Sequence, residues 1–248
     1  MTSKAYGALF LSPPILEEQK KGDRYLHTMV TDGSSRLRPG MELVLTRWIA
    51  LSGTAKLAVE KEEELLKRFP ETLVREAQHF SDLEEIKETL EIAGRVGTDS
   101  GTGEEEKEYY PLGEGGILKA LWEIADQAGL GLSAKLRKLP IRQETVEITE
   151  LFDLDPYRMD SKGAVLIGTF HGMELTEELK RAGIPATVIG RVSKGPERIL
   201  YNQEIKRYIE NQQEQRKRRM KDERSNLNIS GKKQPDRSEG TGSDPGYR

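Results

Sequence analysis

GEGGILKALWEIADQAGLGL, residues 113–132, decides how this chain folds. Ile117, Leu118, Leu121, Trp122, Ile124, Ala125 and Ala128 recur at helical spacing and make a wide apolar stripe. Such a stripe predicts a helix laid on a sheet. The residues just before it carry the one local pattern with a ligand-binding rationale. Glycines at a helix N-terminus let an anion approach free backbone N–H groups, and the helix dipole favours negative charge there. Gly113, Glu114, Gly115 and Gly116 are therefore candidate phosphate-binding residues. The plainer reading is a tight turn into a close-packed helix, with Glu114 well placed for the dipole. It is the stronger of the two, because a short glycine cluster is a weak motif and Glu114 repels a phosphate unless a metal bridges them.

Working back towards the N-terminus, GTDSGTGEEEKE at 97–108 reads as a polar loop. Ser81–Glu84 is a capping-box pattern before Leu83, Ile86, Leu90, Ala93 and Val96, which predicts a helix. ELVLTRWIAL, 42–51, reads as a largely buried strand, and Thr54 to Phe69 as one helix, with Pro70 starting another. At the Gly53–Thr54 junction Thr54 is a second candidate: most simply an N-cap, alternatively an anion contact. Residues 1–40 are punctuated by Pro13–Pro14, Asp32–Gly33 and Pro39–Gly40 and read as irregular, although AYGALFL at 5–11 has strand character.

Towards the C-terminus the pattern alternates. Residues 131–141 read as a strand, 143–152 as a helix, 163–170 as a buried strand, 175–182 as a helix closed by Gly183, and 186–192 as a strand. A short strand at 198–202 is expected to pair with 186–192 through the turn Lys194–Gly195–Pro196. Alternating strands and helices predict an α/β (α+β) fold, a mixed sheet covered by helices. Residues 204–224 read as a solvated helix fraying into a disordered terminus. The expected organisation is an irregular segment over 1–40, one domain over 41–209 and a tail over 210–248.

The composition of the 248 residues excludes several classes of function. There is no cysteine, hence no disulfide framework, no thiolate nucleophile and no Cys-ligated metal. His27, His79 and His171 are far apart, and no metal-spaced pair exists. The carboxylates Asp153, Asp155 and Asp160 look like a helix end and turn rather than a metal site. Residues 210–248 carry ten basic and seven acidic side chains, net +3; the whole chain is −3, so residues 1–209 are at −6. An acidic body offers no footprint for duplex nucleic acid. Arg216–Arg219 is a basic run that usually signifies a solvated tail. Trp48 and Trp122 lie on apolar segments and are expected in packing. No apolar run of about 20 residues exists to span a bilayer. MTSKAYGALFLSPP lacks the pattern of a signal peptide, so a cytoplasmic protein is expected, with no membrane partner and no nucleic-acid partner.

Four segments in order carry a family resemblance: PGMELVLTRWIALSGTAKLAVEKEEELLKRF (39–69), GEGGILKALWEIADQAGLGL (113–132), IRQETVEITELFDLDPYRMDSKGAVLIGTF (141–170) and GIPATVIGRVSKGPERILYN (183–202). Together they resemble the C-terminal domain of the aminoimidazole ribonucleotide (AIR) synthase-related superfamily. The nearest branch is the hydrogenase maturation factor, or carbamoyl dehydratase-like, one; thiamine-monophosphate kinase and selenophosphate synthetase are more distant.

The resemblance implies a helix-covered mixed sheet whose glycine-rich helix faces an ATP site supplied mostly by a separate N-terminal domain, which also forms a dimer interface. With about 40 residues before the matching region, that N-terminal domain is expected to be missing or reduced to a remnant or linker. Pro111-Leu112-Gly113 stands where the family has acidic and hydroxyl residues. The C-terminal cysteine that carries the cyanide precursor in hydrogenase maturation factors has no counterpart, which excludes that dehydration for this polypeptide alone. The expectation is a dimerising or partner-binding module without complete catalytic machinery. The alternative is one subunit of a split ATP-dependent enzyme acting on a small phosphorylated or carboxylated metabolite. No catalytic residue, metal ligand or cofactor is assigned to this chain alone; ATP and Mg enter only if a partner chain completes the site. The partner is either a second copy or a separate N-terminal-domain-type chain.

Overall fold

The computed structural model describes residues 35–83, 85–97 and 107–211. The compact unit that they form ends at Glu210. Its strands are β1 (Glu42–Thr46), β2 (Glu108–Pro111), β3 (Gly131–Lys135), β4 (Val165–Thr169), β5 (Ala186–Ser193), β6 (Arg198–Asn202) and β7 (Ile205–Tyr208). They form one sheet in the order β2-β4-β1-β5-β3-β6-β7. Every pairing is antiparallel except β3 with β6. The helices are α1 (Leu51–Glu60), α2 (Glu62–Leu66), α3 (Glu71–Gln78), α4 (Lys87–Arg95), α5 (Gly116–Ala128), α6 (Gln143–Leu151) and α7 (Gly172–Arg181). The sheet is mixed and helix-covered, as the alternating pattern predicts.

Alternation along β1 separates the layers. Leu43 and Leu45 face α5, whose Ile117, Leu121 and Ile124 are buried among Leu132, Leu166 and Ile189. Val44 points the other way, to Val165, Ile167, Leu90 of α4 and Leu175 and Leu179 of α7. A separate helical cluster joins Leu51, Ala55 and Ala58 of α1 to Val74 and Ala77 of α3, Phe80 and Ile148 of α6. Arg142 ties this cluster together. Its guanidinium lies 5.3 Å from the ring centroids of both Trp48 and Phe80 and pairs with Glu144 and Glu76. Arg142→Ala is expected to lower stability by about 1 kcal/mol, the scale of a partly exposed cation–π and ion-pair set, read from urea unfolding.

Several local readings are corrected by long-range packing. The predicted strand over 42–51 ends at Thr46, because the chain then leaves the sheet: Arg47 N–H donates to the Pro185 carbonyl and Ile49 N–H to that of Pro140. Arg47 and Ala50 adopt positive φ, and Leu51 already belongs to α1. The single helix expected over 54–69 is broken at Lys61, which turns Leu65 towards the α3 cluster. Ser81 does not open a helix. Phe80 is buried in a 3-10 turn, His79–Leu83, and α4 starts only at Lys87. The predicted strand from Gly131 stops at Lys135 and gives way to a 3-10 turn, Leu136–Lys138. Helix α7 starts three residues before Leu175.

The largest correction concerns β6. It does not pair with β5, because β3 lies between them, antiparallel to β5 and parallel to β6. The 194–196 turn crosses over the start of β3, and a Cβ on Gly131 would lie 2.2 Å from the Gly195 carbonyl oxygen. Only glycine admits that crossing. Residues 205–208, expected to be helical, form β7 instead, folded back on β6 through Gln203 at φ 57. Strand β2 falls partly in the stretch expected as a loop. The strand character of 5–11, residue His27, most of the 97–108 loop, the basic run at 216–219 and the rest of the tail lie outside the described residues.

Candidate functional site

The N-termini of α1 and α5 meet one segment, residues 156–162, and that meeting sets what the glycine loop can do. Neither helix supplies its own cap. Ala50 and Gly115 are the N-cap residues; both are left-handed, neither makes a side-chain cap bond, and neither helix has an acid in its first turn. Orphan N–H groups at a helix start must find partners elsewhere. For α1 they come from Asp160 and Ser161. The Ser161 hydroxyl accepts from Ala50 N–H at 2.8 Å and donates to the Met159 carbonyl at 2.9 Å. The Asp160 carbonyl accepts from Gly53 N–H at 2.9 Å.

The Asp160 side chain supplies the anion that α1 lacks. Its carboxylate accepts from Lys56 Nζ at 2.8 Å and from the Ser52 hydroxyl at 3.2 Å. Burial works to raise this carboxyl. The bonds from Lys56 and Ser52 and the nearby Lys162 charge outweigh it and hold Asp160 below the usual carboxylate range.

The same segment closes α5. Gly113 accepts Ser161 N–H through its carbonyl at 3.2 Å and Gly116 N–H at 3.1 Å. Gly116 is buried at φ 62, and a Cβ there would lie 2.6 Å from the carbonyl oxygens of both Tyr157 and Met159. The Tyr157 and Met159 carbonyl oxygens thus pack closely against one side of Gly116, in the first turn of α5. Outside this contact the loop is open. Nothing lies within 4 Å of a Cβ placed on Gly113, and Glu114 is exposed.

Thr54 is corrected as an N-cap. It sits inside α1 with its side chain fully buried, its hydroxyl donating to the Ala50 carbonyl at 2.7 Å and lying 3.1 Å from Thr145 Oγ1 on α6, from which it can accept. The physical reason is that α1 starts three residues earlier than the Gly53–Thr54 junction suggested, so Thr54 falls on the helix face turned to α6. Gly113, Glu114, Gly115 and Gly116 are contiguous at the mouth of α5, while the Thr54 hydroxyl points into the helical cluster.

The remaining polar candidates are spread over separate tasks. Asp155 caps the 3-10 turn Pro156–Arg158 by accepting Tyr157 N–H at 3.0 Å. His79 Nδ1 lies 2.7 Å from the Arg75 carbonyl, and His171 Nδ1 lies 3.4 Å from Glu174. Trp122 packs half-buried against the α5 side of the sheet, with Arg198 4.8 Å from its ring. On β2, Tyr110 donates to Glu123 of α5, and burial together with that carboxylate pushes its phenol far above the usual tyrosine range. Among the described residues no three His, Asp or Glu side chains are grouped to hold a metal ion. Sequence reading missed the roles of Asp160, Ser161, Ser52 and Lys56. The available signal was a helix start with no cap residue and no acid of its own.

A model of the C-terminal domain of AIR synthase related proteins matches residues 38–202. The chain belongs to that family. Carbamoyl dehydratase HypE of Rhodobacter capsulatus is 39% identical to it over 56 residues, 23% of this chain and 16% of that protein. The AIR synthase-related fold is also seen in solved structures. A HypE–HypF complex superposes with a TM-score of 0.56 at 20% identity over 70% of this chain and 53% of that one. HypE in complex with ATP gives a TM-score of 0.51 at 16% identity, over 72% and 52%. At these identities the likeness is one of fold. The chain spans about half the length of these solved relatives and less of the curated one. Among the described residues no helix is long and apolar enough to cross a membrane.

Proposed function

We propose that this AIR synthase-related domain works as an association module rather than as a self-contained nucleotide enzyme. The observation that carries this reading is the packing of Gly116 against the Tyr157 and Met159 carbonyls. A first turn packed on one side by backbone oxygens repels a phosphate that an open one would attract. The family implies ATP and a divalent cation, and the donor set at this loop does not fit them. Glu114 is its single carboxylate, and the anion position at neighbouring α1 is held by Asp160. The module's partner is then a second copy or a chain of the N-terminal-domain type.

Titration calorimetry with MgATP tests this. The isolated chain is expected to give no saturable heat below about 1 mM ligand. Micromolar binding accompanied by turnover would overturn the proposal.

The second reading, a subunit of a split ATP-dependent enzyme acting on a phosphorylated or carboxylated metabolite, is favoured by the open side of the loop at Gly113 and Glu114. HypE, one of the similar structures, has been solved with ATP. On that reading a partner brings the metal-binding carboxylates and draws the phosphates to the outer face. Nucleotide hydrolysis would then appear only in the reconstituted pair and disappear in Gly115→Val.

A further inference from the structure

Among the described residues, the apolar cluster beneath α4 and α7 draws on β1, β2, β4 and β5, and on no residue of β3, β6 or β7. Those three strands carry a sheet face of their own. Leu132, Ala134, Leu200 and Ile209 lie on the α5 side. Alternation then puts Ser133 and Lys135 of β3, Ile199 and Tyr201 of β6, and Lys206 and Tyr208 of β7 on the opposite side. The register lines them up in two rows, Ser133–Ile199–Tyr208 and Lys135–Tyr201–Lys206. The two tyrosines sit diagonally across the β6–β7 ladder, with about 7–8 Å between their backbones. Tyr201 is half-buried, and Tyr208 is 60% exposed. The Tyr208 hydroxyl donates to Glu197 at 3.3 Å, and Lys206 Nζ lies 4.8 Å from its ring.

We propose that this face binds single-stranded RNA. The net charge of the chain predicts no nucleic-acid partner, yet the charge is unevenly placed. Residues 127–143 hold Lys135, Arg137, Lys138 and Arg142 and no acid. Lys135, Arg137 and Lys138 are exposed where β3 runs into its 3-10 turn, and none of them makes an ion pair among the described residues. Such a local group of cations attracts phosphates whatever the sign of the whole body. Cations alone suit any polyanion, and the tyrosines narrow the choice. Unpaired bases stack on aromatic rings while their phosphates track Lys and Arg, whereas a duplex keeps its bases hidden. Tyr208 is already held by Glu197 and Lys206, so it loses little freedom on binding. The Ser133 and Tyr201 hydroxyls have no hydrogen-bond partner among the described residues. They are available to ribose 2′-hydroxyls, which favours RNA over DNA. Glu197 and the hairpin-tip Glu204 border the face, and Glu197 is already engaged by Lys206 at 3.2 Å.

This inference uses no residue of the α5 junction, so its failure leaves the association-module reading standing. The test is fluorescence anisotropy of the full chain with a labelled oligouridylate of about 12 nucleotides, a length within the range that one small domain covers. Binding is expected with a Kd of about 1–100 µM at about 50 mM salt, and about tenfold weaker at about 200 mM. Tyr208→Ala should weaken it at least about fivefold, while Tyr208→Phe, which keeps the ring, should not. Lys135→Gln should weaken it too and reduce the logarithmic salt slope by about 0.7, the share of one phosphate on a single strand. Both positions are exposed, and circular dichroism checks that the variants are folded. The matching oligodeoxyuridylate should bind more weakly, and equal binding overturns the choice of RNA. Absence of binding overturns the proposal. So does binding indifferent to both Tyr208→Ala and Lys135→Gln, which would point to the basic run at 216–219 instead. Displacement of the RNA by polyglutamate of equal charge would assign the face to an acidic protein segment and overturn the proposal as well.

Discussion

Gly116→Ala is expected to lower the stability of the folded domain by about 3 kcal/mol or more, a large effect for the addition of one methyl group. Two costs add. A non-glycine residue at φ 62 costs about 1 kcal/mol. The new methyl must also push apart backbone carbonyls that would lie 2.6 Å from it. Neither carbonyl belongs to a flexible side chain, so the strain cannot be relieved by a rotamer change. The 156–162 segment must move as a unit, and its bonds to Ala50, Gly53 and Gly113 must stretch with it. Thermal unfolding should therefore shift down by about 10 °C. Gly113→Ala, where space is open, should cost much less. Equal effects of the two substitutions would mean that the segment does not close on α5 as described.

The second large effect concerns Asp160. Asp160→Ala is expected to cost about 2 kcal/mol, because it removes the carboxylate that accepts from the Ser52 hydroxyl and the Lys56 ammonium at the start of α1. Asp160→Asn should cost less, since an amide oxygen still accepts from Ser52. The two differ from wild type in pH dependence. The folded-state carboxyl is depressed, so its contribution is fully present above its unfolded pKa and is lost as pH falls through the folded value. Wild type should lose this stability between about pH 5 and pH 2, and in Asp160→Asn that part of the acid limb should flatten. Urea midpoints at pH 7, 4 and 3 read it directly. A wild-type acid limb reproduced in Asp160→Asn would show that this carboxylate does not anchor the start of α1.

What could be read from the sequence was what depends on periodicity. Helix α5 and strand β4 follow from apolar spacing, because each buries a stripe or a run against the same sheet. What could not be read depends on contacts distant along the chain. Asp160 meets Ser52 across 108 positions, and nothing in MDSK announces that these residues cap a helix begun at Leu51. The turn at 194–196 has hairpin chemistry, yet β3 is inserted between the strands it joins, so β6 takes a parallel neighbour that no local pattern encodes. Thr54 shows how a boundary error becomes an error about a site. Three residues of extra helix turned an expected cap into a buried bond to Thr145. The glycine loop was legible as a junction, and its two readings were separable only once the 156–162 segment was seen lying on one side of it.

Amide hydrogen exchange over residues 113–118, measured with and without MgATP, tests the closed α5 N-terminus most directly. If the Tyr157 and Met159 carbonyls and Ser161 hold that junction shut, exchange there is slow in the free chain and unchanged by nucleotide. Fast exchange in the free chain that becomes protected on adding MgATP would show an open phosphate site, and would contradict the closed junction.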